Sequence, residues 1–170
     1  MSSTGKLMIF AAWIGAAALL TWLFAGELDR RENPNQVVAT TTSGGRVEVR
    51  LTRNRMGHYV ASGRINGRRV ELLLDTGATN VALGRSLADE LGLKRGTPDY
   101  TQTANGTVET YRTILGSVQL GGITMHNVPA SIDPGMSADE VLLGMSFLKH
   151  LEIIQRGDRL LLRQPGSSDQ

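Results

Sequence analysis

Residues 58–79 read HYVASGRINGRRVELLLDTGAT: two strand-like runs joined by Asn66-Gly67, the second ending in Asp75-Thr76-Gly77. Asn-Gly between such runs is the strongest short-range signal for a two-residue hairpin, because both turn positions favour positive φ. The run Leu72-Leu73-Leu74 is continuously apolar, as in a strand buried on both faces, and it stops at a carboxylate. A carboxylate at the tip of a buried strand is expensive unless it is paired, hydrogen-bonded or put to use. The hairpin therefore limits the fold to one that buries its second strand while leaving the end of that strand open.

The rest of the domain repeats the theme. VEVRL (47–51), SVQLG (117–121), ITMHNVPASI (123–132), VLLG (141–144), LEIIQ (151–155) and RLLLR (159–163) are short runs separated by turn sequences. A second Asn-Gly, at 105–106, lies between DYTQTA and TVETYRTIL. Only two helices are expected here, Arg85 to Leu91 closed by Gly92 and a short turn from Ser146 to His150. Many short strands with frequent turns predict an all-β domain, closed or sandwiched, over residues 47–163.

Composition removes several function classes. The net charge of +2 is spread without a basic block, so no nucleic-acid partner is expected. With no cysteine there is no thiolate nucleophile and no Cys-based zinc site. His58, His126 and His150 are scattered without ligand spacing and no Gly-rich phosphate loop is present, so neither metal nor cofactor is expected. From Leu7 to Gly26 the chain carries no charge, and Thr21 is its one polar side chain. Twenty helical residues span about 30 Å, enough to cross a bilayer. Residues 1–26 are thus expected to be a cytoplasmic tip and membrane anchor, a cleaved signal peptide being the rival reading. Lys6 favours a cytoplasmic N-terminus, while Arg30 and Arg31 pull the other way. Residues 27–46, with Pro34 and Gly44-Gly45, read as a flexible tether, and 164–170 as an unstructured tail.

Three motifs in order resemble the retropepsin-like aspartic proteases, in particular their membrane-anchored bacterial branch. They are LLLDTGATNVAL (72–83), the hairpin around Thr103-Ala104-Asn105-Gly106-Thr107, and VLLGMSFL (141–148). The resemblance covers residues 57–163 and implies a closed acid-protease β-barrel, a polypeptide substrate and no cofactor. It implies Asp75 as the catalytic acid and base, with Thr76, Gly77, Ala78, Thr79 and Gly144 supporting the loop. Thr76 would lock two such loops together, and the Thr79 hydroxyl would bond the Asp75 carboxylate or its loop. Thr103, Ala104, Asn105 and Gly106 would form a flap over the substrate. It further implies a single-pass protein of the inner membrane whose catalytic domain faces the periplasm.

Peptide hydrolysis of this kind needs two carboxylates sharing one proton. No other aspartate in the chain is followed by a hydroxyl residue and glycine; Asp133-Pro134-Gly135 comes nearest, and proline supplies neither hydroxyl nor amide donor. The second carboxylate is expected from another copy of the chain, in a two-fold homodimer. Two blander readings stand beside this one. Asp75-Thr76-Gly77 could be a plain Asx turn, and the whole domain could be a non-catalytic module for peptide binding or oligomer assembly.

Overall fold

The computed structural model describes residues 3–103, 106–137 and 140–165. Helix α1 (Ser3–Glu32) precedes eleven strands and two short helices. Strands β1 (Ala39–Ser43) and β2 (Arg46–Thr52) lead into the hairpin β3 (Val60–Ile65) and β4 (Arg68–Leu74). Then follow β5 (Val81–Gly84), α2 (Arg85–Glu90), β6 (Pro98–Thr103), β7 (Gly106–Leu120) and β8 (Ile123–Asp133). The domain ends with β9 (Glu140–Leu143), α3 (Met145–Leu148), β10 (Glu152–Arg156) and β11 (Arg159–Gln164).

The main sheet runs β3-β4-β9-β5-β8-β7-β6, and an extra pairing of β3 with β7 bends six of its strands into a closed ring. The mostly-β expectation thus holds. The ring encloses Leu72, Val81, Leu83, Leu115, Ile132, Val141 and Leu143, all at most 1% exposed. At the β3–β4 turn, Ile65 pairs with Arg68 across Asn66 (φ 50°) and Gly67 (φ 84°), the two positive-φ positions that Asn-Gly announces. Helix α2 ends one residue before the expected Leu91, and Gly92 at φ 64° donates to the Asp89 carbonyl to close it. Helix α3 starts at Met145 and ends at Leu148, one to two residues before the expected turn at 146–150.

Two expectations for the N-terminal region change. Helix α1 runs past Gly26 to Glu32, because Asp29 to Glu32 continue it until Asn33, the residue before Pro34, where αR backbone is disfavoured. Its segment Leu7–Glu32 is long and apolar enough to cross a membrane, and none of its apolar window is buried against the protein. Trp13 and Trp22 are about three-quarters exposed. The second change concerns the tether: residues 33–46 are built into the domain. Strand β1 pairs with β2 from Ala39↔Arg50 to Ser43↔Arg46, opening a second sheet of order β1-β2-β11-β10.

Asn35 is the staple between helix and domain. It is 5% exposed, and its Nδ2 donates to the carbonyls of Thr52 (2.8 Å) and Val60 (2.7 Å). Its Oδ1 accepts from the Thr52 amide at 2.7 Å, so one side chain bonds β2 and β3, which belong to different sheets. Asn33, also buried, accepts the Asn35 amide and donates to Glu71 on β4. Asn35→Ala leaves three backbone groups of Thr52 and Val60 without this partner and should lower the unfolding free energy by about 3 kcal/mol. Denaturant unfolding of the two forms checks this; a change below about 0.5 kcal/mol, typical of surface sites, would contradict the staple.

Candidate active site

Asp75 is the first residue after β4, and its position follows from how β4, β9 and β5 are ordered. Strand β9 lies between the other two, parallel to β4 (Leu72↔Val141, Leu74↔Leu143) and antiparallel to β5 (Ala82↔Leu142). The loop 75–80 therefore has to pass over the end of β9. The Asp75 amide donates to the Leu143 carbonyl at 3.2 Å, continuing the β4–β9 ladder by one residue. Beyond that point the carboxylate is half-buried while Thr76 and Gly77 are exposed.

Gly144 makes that crossing possible. A Cβ there would lie 2.1 Å from the Asn80 carbonyl oxygen and 2.7 Å from that of Ala78, both backbone atoms with no room to yield. Because the side chain is absent, the first turn of α3 seats directly under the loop. The amides of Met145 and Ser146 donate to the carbonyls of Ala78 (2.8 Å) and Thr79 (2.9 Å). The buried Ser146 hydroxyl accepts the Val81 amide at 2.9 Å and donates to the Pro129 carbonyl at 2.8 Å. One serine thus ties α3 to the end of the loop and to β8. Sequence reading assigned Ser146 no such role, because a clamp between distant segments leaves no local pattern.

The carboxylate itself is held at one oxygen. Asp75 Oδ1 accepts the Gly77 amide at 2.8 Å, and Oδ2 accepts no hydrogen bond from the described residues. This bond alone is an Asx turn, and Asp133 makes the same one to Gly135 at 2.8 Å. What separates the two aspartates is the clamp beneath Asp75, which bonds its loop to α3 and β9. The hydroxyls of Thr76 and Thr79 make no hydrogen bond among the described residues. Thr79 is exposed and is not a ligand of the Asp75 carboxylate within one chain. No group of three or more metal-capable side chains occurs among the described residues.

The hairpin expected as the flap is β6–β7. Its register closes at Thr103↔Gly106, with Gly106 at φ 113° already in β7. Ala104 and Asn105 of the expected flap lie outside the described residues. Lower on the hairpin, Arg112 bonds Asp99 through Nε and Nη2 (2.9 and 2.8 Å). That bond, helped by the Tyr100 amide, holds the Asp99 carboxyl below the usual carboxylate range. The sign is that of a depressed acid: its contribution is present above the unfolded-state value near ~3.9 and fades only below it. The brace therefore stays ionised through mildly acidic pH.

Residues 61–150 match the family model described as "gag-polyprotein putative aspartyl protease". The chain belongs to this family. Among solved structures, a retropepsin-like aspartic protease from Rickettsia conorii is 27% identical and superposes with a TM-score of 0.57, over 75% of this chain and 94% of that one. An uncharacterized protein in the cobV 5′ region of Sinorhizobium sp. is 35% identical over 134 residues, 76% of this chain. An uncharacterized protein of Rickettsia prowazekii (strain Madrid E) is 32% identical over 108 residues, 62% of this chain. The chain spans only 58% and 46% of the lengths of these two relatives.

Two substitutions test the clamp. Gly144→Ala drives a methyl group into two carbonyls and should destabilise the retropepsin-like domain by roughly 3 kcal/mol or more. Ser146→Ala leaves the Val81 amide and Pro129 carbonyl unpaired, for about 2 kcal/mol. Thermal or denaturant unfolding reads both; a neutral Gly144→Ala would show that the loop does not rest on α3.

Proposed function

We propose that the protein is an aspartic endopeptidase whose active site is completed by a second copy of the chain. The observation that carries the reading is the Asp75 carboxylate: rigidly seated at the end of β4, half-buried, and free at Oδ2. Among the described residues no second carboxylate bonds or pairs with it. A two-fold axis beside the loop would bring two Asp75 side chains together. Like charges in contact cannot both ionise, so the pair holds one proton between them over the working pH range.

The roles then follow from the chemistry. The ionised carboxylate takes a proton from a water lying between the two side chains, and that water attacks the scissile carbonyl carbon. The protonated carboxyl gives its proton to the carbonyl oxygen, forming a gem-diol. Its collapse passes a proton to the leaving amine and breaks the C–N bond, and the dyad returns to its single-proton state. Gly77 keeps Asp75 Oδ1 in place throughout by the 2.8 Å amide bond. The exposed Thr76 hydroxyl, unbonded among the described residues, would bond the partner loop. The substrate lies extended under the β6–β7 hairpin, adding backbone hydrogen bonds as a strand does. With α1 as a membrane anchor, the substrates are polypeptides on the periplasmic side. A non-catalytic binding module would have no need of an open carboxylate on so firmly clamped a loop.

Full-length protein in detergent should cleave an unfolded polypeptide at mildly acidic to neutral pH, and Asp75→Asn should lose at least ~100-fold of that activity. Equal turnover by both forms would exclude the reading. Mixing the two forms at equal amounts should leave about one quarter of the activity, since only pairs with two intact aspartates work. A fall to one half, simple dilution, would exclude the shared dyad.

A further inference from the structure

The second sheet, β1-β2-β11-β10, is basic, and only the fold makes it so. With its turns it takes up residues 39–55 and 152–163, which hold seven arginines and three carboxylates, a net of +4 in a chain whose total is +2. On the solvent face the carboxylates gather at one end. Arg163 bonds both Glu48 and Glu152 at 2.8 Å, and Arg50 lies 3.5 Å from Glu48. At the other end Arg156 and Arg159 stand directly opposite each other on β10 and β11, with Arg50 diagonal to Arg159 across β2. Like charges opposed in this way repel, and neither Arg156 nor Arg159 has an ion pair among the described residues. Arg50, Arg156 and Arg159 line one groove of about 730 Å³ together with Ile154, Leu161 and Val37.

We infer that this face rests on the surface of the membrane that α1 enters, with Arg50, Arg156 and Arg159 holding the phosphates of anionic lipid headgroups. The inference rests on α1 as a membrane anchor, the reading given above. Guanidinium groups match phosphate in shape and charge, and an anion between Arg156 and Arg159 relieves their repulsion.

Position supports the charge argument. The uncharged stretch of α1 ends at Gly26, and six further helical residues carry the chain to Glu32, a rise of about 9 Å. The polar layer outside the hydrocarbon is about 5–8 Å deep, so Glu32 stands at its outer margin. There the chain is pinned to the sheet. Asn54 Nδ2 donates to the Glu32 carbonyl at 3.0 Å, and Asn35 bonds Thr52, the residue paired with Arg159. The cationic end of the groove is thus the end next to α1.

Apolar exposure marks the same end. Among the described residues outside α1, the two most exposed large apolar side chains are Val37 (92%) and Met56 (77%). Val37 lies five residues beyond α1, and Met56 follows Arg55 on the loop that Asn54 ties to Glu32. Apolar tips beside arginines fit a headgroup boundary, where the charged heads stay at phosphate level and the apolar groups reach inward.

The test uses the full-length protein, which has no cysteine of its own, carrying a small fluorophore on Ala39→Cys in the groove. It is reconstituted into phosphatidylcholine vesicles with or without phosphatidylglycerol, both containing a lipid with a nitroxide on its headgroup. Quenching should be several-fold stronger in the anionic vesicles, and high salt should return it to the neutral level. Replacing both Arg156→Gln and Arg159→Gln should weaken docking roughly 30-fold, whereas Lys at both positions should retain most of it. Equal quenching in the two vesicle types, or a double Gln form that behaves as the unmodified chain, overturns the proposal. So does a label that responds to soluble polyglutamate and not to anionic vesicles, which would assign the face to an acidic polypeptide. Flotation after alkaline carbonate separates the two layers of the reading. A chain that stays with neither vesicle has no membrane anchor, and the proposal falls with it. A chain that stays while its label ignores lipid charge keeps its anchor and loses only the docking.

Discussion

The close approach of Gly144 to the backbone of Ala78 and Asn80 is the contact on which the remainder of the site depends. Strand β9 can separate β4 from β5 only if the loop joining those two crosses its end, and the crossing leaves no space for a side chain. Once the glycine admits the loop, the α3 amides satisfy carbonyls that the turn would otherwise leave open, and Ser146 bonds the start of β5 to β8. The Asp75 carboxylate thus sits on a loop whose backbone is bonded to the end of β9 and to the start of α3. That is the preorganisation an acid–base group needs.

The same economy of contacts appears at the N-terminal side. Asn33 and Asn35, flanking Pro34, carry the chain from α1 into the domain by bonding β2, β3 and β4. The helix is therefore not hung from a loose linker. Under the membrane reading, the domain would leave the bilayer with its first sheet already docked, and with less freedom to turn than a twenty-residue tether would allow.

Much of this was legible in the chain, and the reasons for the rest are physical. Strand β4, its Asn-Gly turn and the position of Asp75 were readable because local propensity, hydrophobic run and turn chemistry agree there. Strand β11 is continuous and apolar, so it was readable too. Strand β5 is four residues long inside a loop motif, too short for any period to show. Strand β1, Ala-Thr-Thr-Thr-Ser, has no apolar alternation because both of its faces are exposed, so β-branched propensity was its only mark. Asn33 and Asn35 look like linker residues until the partners that bury them are known.

The account reduces to the statement that each chain carries half of an active site. Calorimetric titration with a peptide bearing a non-cleavable secondary alcohol in place of the scissile carbonyl counts those sites directly, since the hydroxyl occupies the place of the shared water. The account predicts one inhibitor bound per two chains, with binding lost in Asp75→Asn. One inhibitor per chain, or binding unchanged by Asp75→Asn, would contradict it.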